Sequence, residues 1–136
     1  MQLNPYLSFN GDCEAAFKFY QHSLGGQPGE IFRYAGSPLA SQVPVNWSDK
    51  IMHASITIAG QCLMGGDVAS DRYEEPRGFS LSLQIKNVPE AERVFQALAA
   101  GGRVVLPLEK TFWAARFGMV TDQFGIPWMI NCEKDG

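Results

Sequence analysis

EAAFKFYQHSLGG, residues 14–26, returns about 76 positions later as EAERVFQALAAGG, residues 90–102, and this pairing decides the fold. Each stretch opens on a glutamate, carries apolar residues at helical spacing and closes on two glycines. The stripe is Ala16, Phe17, Tyr20 and Leu24 in the first and Ala91, Val94, Phe95 and Leu98 in the second. Asp12 stands where an N-cap belongs, and Asn87 with Pro89 opens the second helix. Gly25 and Gly26, then Gly101 and Gly102, stop the two helices. The match extends upstream to Leu7 with Leu83 and Phe9 with Ile85, although the helical stripes superpose better one residue shorter.

Around each helix the sequence alternates as strands do. LNPYLSFNG sets Leu3, Leu7 and Phe9 against Asn4, Tyr6 and Ser8, with Pro5 marking an edge or a strand start. EIFRYA, IMHASITIAG and QCLMGG read as three more strands, with residues 36–49 as a loop and the last two joined at Gly60. After a polar connection over residues 67–77, GFSLSLQI sets Phe79, Leu81, Leu83 and Ile85 against Ser80, Ser82 and Gln84. RVVLPL, FWAARFGMVT and IPWMINC complete the second half. The fold class is therefore α+β: two βαβββ modules, at about residues 1–66 and 78–136, forming one domain. A mixed, curved sheet enclosing a cavity, with the helices outside, is the expected arrangement.

Composition narrows the function classes. The chain has 136 residues, 46% of them hydrophobic, enough for one packed domain or two small modules. Eleven Lys and Arg against fourteen Asp and Glu give a net charge of −3, and no basic stripe interleaves with aromatics, so nucleic acid is not an expected partner. MQLNPYLSFNGD lacks the pattern of a signal peptide, and no apolar run is long enough to span a bilayer. A cytoplasmic protein without a membrane partner is expected. Cys13, Cys62 and Cys132 show no C-x-x-C spacing, which argues against a disulfide framework or a zinc site. Cys62 and Cys132 read as buried reduced thiols. Cys13, in the first turn of a helix, is either a thiol whose pKa the helix dipole lowers or an ordinary helix residue.

LNPYLSFNGDCEAAFKFYQ, HASITIAG and FWAARFGMVTDQFGIPWMIN carry a resemblance to a known family. The last is the most specific, for it combines Phe112-Trp113-Ala114, Val120-Thr121-Asp122, Phe124-Gly125 and Trp128 through Asn131 in that order. The chain resembles the PhnB-like branch of the vicinal oxygen chelate superfamily, which includes glyoxalase I, bleomycin-resistance proteins and extradiol dioxygenases. The resemblance implies paired modules, a cavity and a homodimer. In the superfamily's metal enzymes, four ligands, mostly His, Glu or Gln, come from the first and last strands of each module. Carried over, those positions are Asn4, Met64, Ser80 and Met129. An amide, a hydroxyl and two thioethers are a poor set for a divalent ion, and a slip of one residue brings Pro5, Leu63, Leu81 or Trp128, which is no better. No metal and no cofactor are expected.

The remaining candidates each have a bland reading. His53 can orient a ligand or act as a general base, or it can be a hydrogen-bonded core histidine. Tyr6 and Ser8 share a strand face with Asn4, and Ser82 and Gln84 share one with Ser80, which suits a wet or ligand-filled cavity or plain solvent exposure. Phe112 and Trp113 are pocket candidates, whereas Trp128 suits core packing. Arg116 can pair with an anionic ligand or make a surface or interface salt bridge. Asp122 closes a turn by accepting backbone amides. Asp67, Asp71, Glu74 and Glu75 make an acidic connection that is either solvated or a cation trap.

Three functions follow. The first is metal-free binding or sequestration of a small organic molecule, as in the bleomycin-resistance relatives. The second is an enzyme, a lyase, isomerase or transferase with His53 as acid or base. The 3-demethylubiquinone methyltransferase label that PhnB-like proteins carry falls under this reading, but no glycine-rich loop follows a strand as a nucleotide fold needs. The third is a regulatory or interaction module with a vestigial cavity.

Overall fold

The computed structural model describes residues 1–134. Its elements run β1 (Tyr6–Phe9), α1 (Cys13–Leu24), β2 (Gln27–Arg33), β3 (Ile51–Ile58) and β4 (Gln61–Asp67), then β5 (Leu81–Ile85), α2 (Val88–Ala99), β6 (Arg103–Glu109), β7 (Ala114–Thr121) and β8 (Pro127–Glu133). The order β, α, β, β, β thus occurs twice. Two compact units, Met1–Glu74 and Glu75–Gly136, divide inside the polar connection. Residues 135 and 136 of the expected second module lie outside the described residues.

Each unit has its own open four-stranded sheet, in the orders β1-β4-β3-β2 and β5-β8-β7-β6. The first and last strands of each module pair in parallel and the others antiparallel, so both sheets are mixed. A crossover helix between the first strand and the rest is what permits the parallel pair.

Each helix buries its apolar stripe on one face of its sheet. Cys13, Ala16, Phe17, Tyr20 and Ser23 of α1 are buried, and Leu7, Phe9, Ala54, Ile56 and Leu63 lie buried in the strands. Leu24, expected in this stripe, is only half-buried, and Ser23 takes its place. A Cβ on Gly65 would meet the Phe17 ring at 3.0 Å, which marks how closely the helix approaches β4. In the second unit Ala91, Val94, Phe95 and Leu98 are buried as expected, with Val120, Trp128, Ile130 and Cys132 in the strands. Three residues separate β1 from α1 but two separate β5 from α2. That difference is why the strands superpose at one spacing and the helices at a spacing one residue shorter.

The first strand of each module starts later than its alternation suggests. Leu3 is 99% exposed and Phe79 is 50% exposed, because neither is in a strand. Cys62, expected to be buried, is half-buried. Asp12 occupies the N-cap position of α1 without a capping side-chain bond; the Cys13 amide donates instead to Asp67 Oδ1 at 2.9 Å. Asn87 does cap α2, its Oδ1 accepting from the Glu90 amide at 2.9 Å. The outer strands β2 and β6 each contain a proline, Pro28 and Pro107, beside irregular register.

Candidate functional site

The face of each sheet turned away from its helix gathers most of the residues that the sequence nominates. In the first sheet Leu7 and Leu63 point toward α1, so their neighbours Tyr6, Ser8 and Met64 stand on the open face, with Tyr6 opposite Met64 in register. His53 joins them from β3, opposite Phe32 of β2. The imidazole lies 5.8 Å from the Tyr6 ring at an interplanar angle of 28°, and 6.3 Å from the Phe32 ring at 33°. Both flanking rings are 49% exposed. Among the described residues, no hydrogen bond reaches the imidazole, so His53 is not the hydrogen-bonded core histidine of the bland reading.

Tyr6 reaches this position because Gly66 has no side chain. The phenol crosses β4 to donate to the Met52 carbonyl at 3.4 Å, and burial, followed by the nearby Cys13, Tyr34 and Asp67, pushes its pKa up. A Cβ on Gly66 would stand 2.6 Å from the Met52 carbonyl oxygen and 2.8 Å from the Tyr6 hydroxyl. Gly66→Ala is therefore expected to cost about 2 kcal/mol of stability and to push the Tyr6 ring off His53. Urea unfolding and the aromatic chemical shifts of His53 check this; unchanged shifts would refute the role given to Gly66.

The open face of the second sheet holds Ser82 and Gln84 beside Met129 and Asn131, and Asn131 was not singled out from the sequence as a site residue. Asn131 Nδ2 donates to Gln84 Oε1 at 2.7 Å, and Gln84 Nε2 donates to Ser82 Oγ at 2.9 Å. Asn131 Oδ1 is buried and accepts no bond among the described residues, an unmet demand of the kind found where a polar partner binds. Phe117 stands opposite Asn131, Met119 opposite Met129, and Trp113 contacts Phe117 at 5.4 Å. Phe112 is 87% exposed and Trp113 50%, edge to face at 4.9 Å.

Three candidates stand apart from these clusters. Arg116 lies opposite Cys132, on the helix side of β7, and pairs with Glu92 of α2 at 3.5 Å. Asn4 precedes β1 and donates to the Cys62 carbonyl at 3.1 Å; Ser80 precedes β5. The four positions assigned to metal ligands therefore present the amide of Asn4, already engaged, a hydroxyl and two thioethers. That donor set does not fit a divalent ion. Among the described residues no three His, Cys, Asp or Glu side chains converge on a common point.

Asp67 is not part of a solvated acidic connection. It is 2% exposed, its Oδ1 and Oδ2 accept from the Cys13 and Ile51 amides at 2.9 Å each, and its carbonyl accepts from the Tyr34 hydroxyl at 2.6 Å. Burial, and then the Asp67 carboxylate, pushes the Cys13 thiol far up, opposite to the effect of a helix dipole. Cys13 is also fully buried, which favours the ordinary helix residue of the two readings. One cavity of about 400 Å³ lies in the first unit, between the loop over residues 36–49 and the turn after β4.

Comparison with known proteins agrees with this architecture. The model of the glyoxalase/bleomycin resistance protein/dioxygenase superfamily matches residues 2–130. Protein YjdN of Escherichia coli is 39% identical, with 98% of this chain and 97% of that protein covered. The crystal structure of protein PA1353 from Pseudomonas aeruginosa superposes with a TM-score of 0.89 at 47% identity over 99% of both chains. A Bacillus cereus structure, described as a putative 3-demethylubiquinone-9 3-methyltransferase, PhnB protein, superposes at 0.83 with 24% identity, covering 97% of this chain and 99% of that one.

Proposed function

Because the chain belongs to the glyoxalase/bleomycin resistance protein/dioxygenase superfamily, we propose that it binds a small organic molecule without a metal, on the open sheet faces. The carrying observation is His53, half-buried between two exposed aromatic rings, its imidazole bonded to no described residue. Such an imidazole offers a ligand two ring nitrogens and aromatic walls. It is less suited to general base catalysis, because among the described residues no carboxylate or carbonyl fixes its tautomer and orientation. The methyltransferase named for the Bacillus cereus protein is not carried over, since that likeness supports the fold alone. We propose a homodimer in the cytoplasm as the working state.

The test is native mass spectrometry on protein purified without chelator or histidine tag, with thermal-shift titration by Zn²⁺, Ni²⁺, Mn²⁺ and Fe²⁺. A bound organic adduct that is lost in Tyr6→Ala and His53→Ala, with no metal stabilisation, is the expected result. Stoichiometric metal with a shift of several degrees would overturn the reading. Turnover abolished in His53→Ala, with folding intact, would favour the enzyme instead.

A further inference from the structure

The cavity in the first unit is separate from the Tyr6, His53 and Phe32 cluster and carries a chemistry of its own. Its walls are Leu39, Gln42, Val43 and Pro44 from the loop over residues 36–49, and Val68 with Ala69 from the turn after β4. Two short 3₁₀ turns, Ala40–Gln42 and Val45–Trp47, shape the loop, and its stem is closed by the Tyr34 amide bonded to the Lys50 carbonyl and the Ala35 amide to the Ser48 carbonyl. The opposite wall is a tight turn in which the Arg72 and Tyr73 amides both donate to the Ala69 carbonyl. About 400 Å³ is ample for a ligand of amino-acid size.

Two opposite charges, Asp71 and Arg72, line this space. Neither forms an ion pair, with the other or with any described residue. Arg72 and Tyr34 line the same cavity, and the Arg72 charge lowers a Tyr34 pKa that burial and then Asp67 raise. Tyr34 donates its proton to the Asp67 carbonyl, so its hydroxyl oxygen still has acceptor capacity toward the cavity. A hollow with an apolar wall of Leu39, Val43, Pro44 and Val68, edged by a cation and an anion that do not meet, is complementary to a molecule carrying both opposite charges beside an apolar tail.

We infer that this cavity binds a small zwitterion with an apolar side chain, of the α-amino acid class. Arg72 takes the carboxylate and Asp71 the ammonium group, while Leu39, Val43, Pro44 and Val68 cover the tail. The site is independent of the open-face reading, and its success or failure leaves that reading untouched.

L-Phenylalanine, 3-phenylpropanoate and 2-phenylethylamine test it, since the second lacks the ammonium and the third the carboxylate. Amide chemical shifts of the intact chain are followed during each titration. Phenylalanine is expected to perturb residues 34–44 and 68–72 and to bind about tenfold more tightly than either analogue. Arg72→Met should abolish its advantage over 2-phenylethylamine, and Asp71→Asn its advantage over 3-phenylpropanoate. Both side chains are exposed, so both variants should fold, and unchanged thermal unfolding verifies that. Equal binding of the three probes, no binding of phenylalanine at millimolar concentration, or shifts confined to other residues would each overturn the inference. Loss of phenylalanine binding in Tyr6→Ala or His53→Ala, with Arg72→Met unaffected, would overturn it too.

Discussion

Asp67→Ala is expected to remove about 4 kcal/mol of folding stability, measured by urea unfolding followed through tryptophan fluorescence. The carboxylate is 2% exposed and serves two buried amides from distant parts of the chain, Cys13 at the start of α1 and Ile51 at the start of β3. Alanine leaves both N–H groups without an acceptor and removes an anion from the positive end of the helix. Asp67→Asn keeps one acceptor oxygen but turns an amide N–H toward the other donor, so about half that loss is expected. A second readout separates the bonds from packing: with the anion gone, the Cys13 thiol should titrate lower, although burial remains the largest influence on it. A stability loss under about 1 kcal/mol would mean that water or the Asp12 side chain takes over the cap.

The other large effect belongs to Asp122, which is 3% exposed in the second unit. Its Oδ1 accepts from the Phe124 and Ile126 amides at 2.8 and 3.1 Å, and its Oδ2 accepts from Trp128 Nε1 at 2.8 Å. The carboxylate thus holds the turn between β7 and β8 and orients the largest fully buried side chain. Asp122→Ala is expected to lose about 4 kcal/mol, and Trp128→Phe about 2 to 3 kcal/mol from the lost volume and the lost indole donor. A double-mutant cycle should show a coupling of about 1.5 kcal/mol or more between them. Additive losses would show that the indole bond contributes nothing beyond packing.

The two modules could be read from the chain because helical stripes and strand alternation are local signals, repeated twice. The open faces could be read as well: once Leu7 and Leu83 are placed toward the helices, Tyr6, Ser8, Ser82 and Gln84 must point the other way. Of the two readings of Arg116, ligand partner or salt bridge, the structure shows the salt bridge. Alternation counted back from buried Val120 already puts it on the helix side, where Glu92 receives it. Asp67 is not legible in this way: its polarity suits a loop, while the two amides that hold it lie 54 and 16 residues away in the chain. Phe32 beside His53, the Ser82–Gln84–Asn131 relay and the cavity under residues 36–49 likewise depend on contacts between segments that no window of sequence contains.

The prolines of β2 and β6 bear on how the protein behaves in a crowded cell. Ile31 and Phe32 on one outer strand, and Val104, Val105 and Leu106 on the other, are 43% to 51% exposed on strands that lie at the edges of their sheets, a combination that recruits further strands. A proline offers no N–H to an incoming strand, and the irregular register around each one bends the edge away from a straight template. Pro28 and Pro107 thereby serve colloidal solubility, a property visible only at high concentration and absent from any measurement on a single isolated molecule.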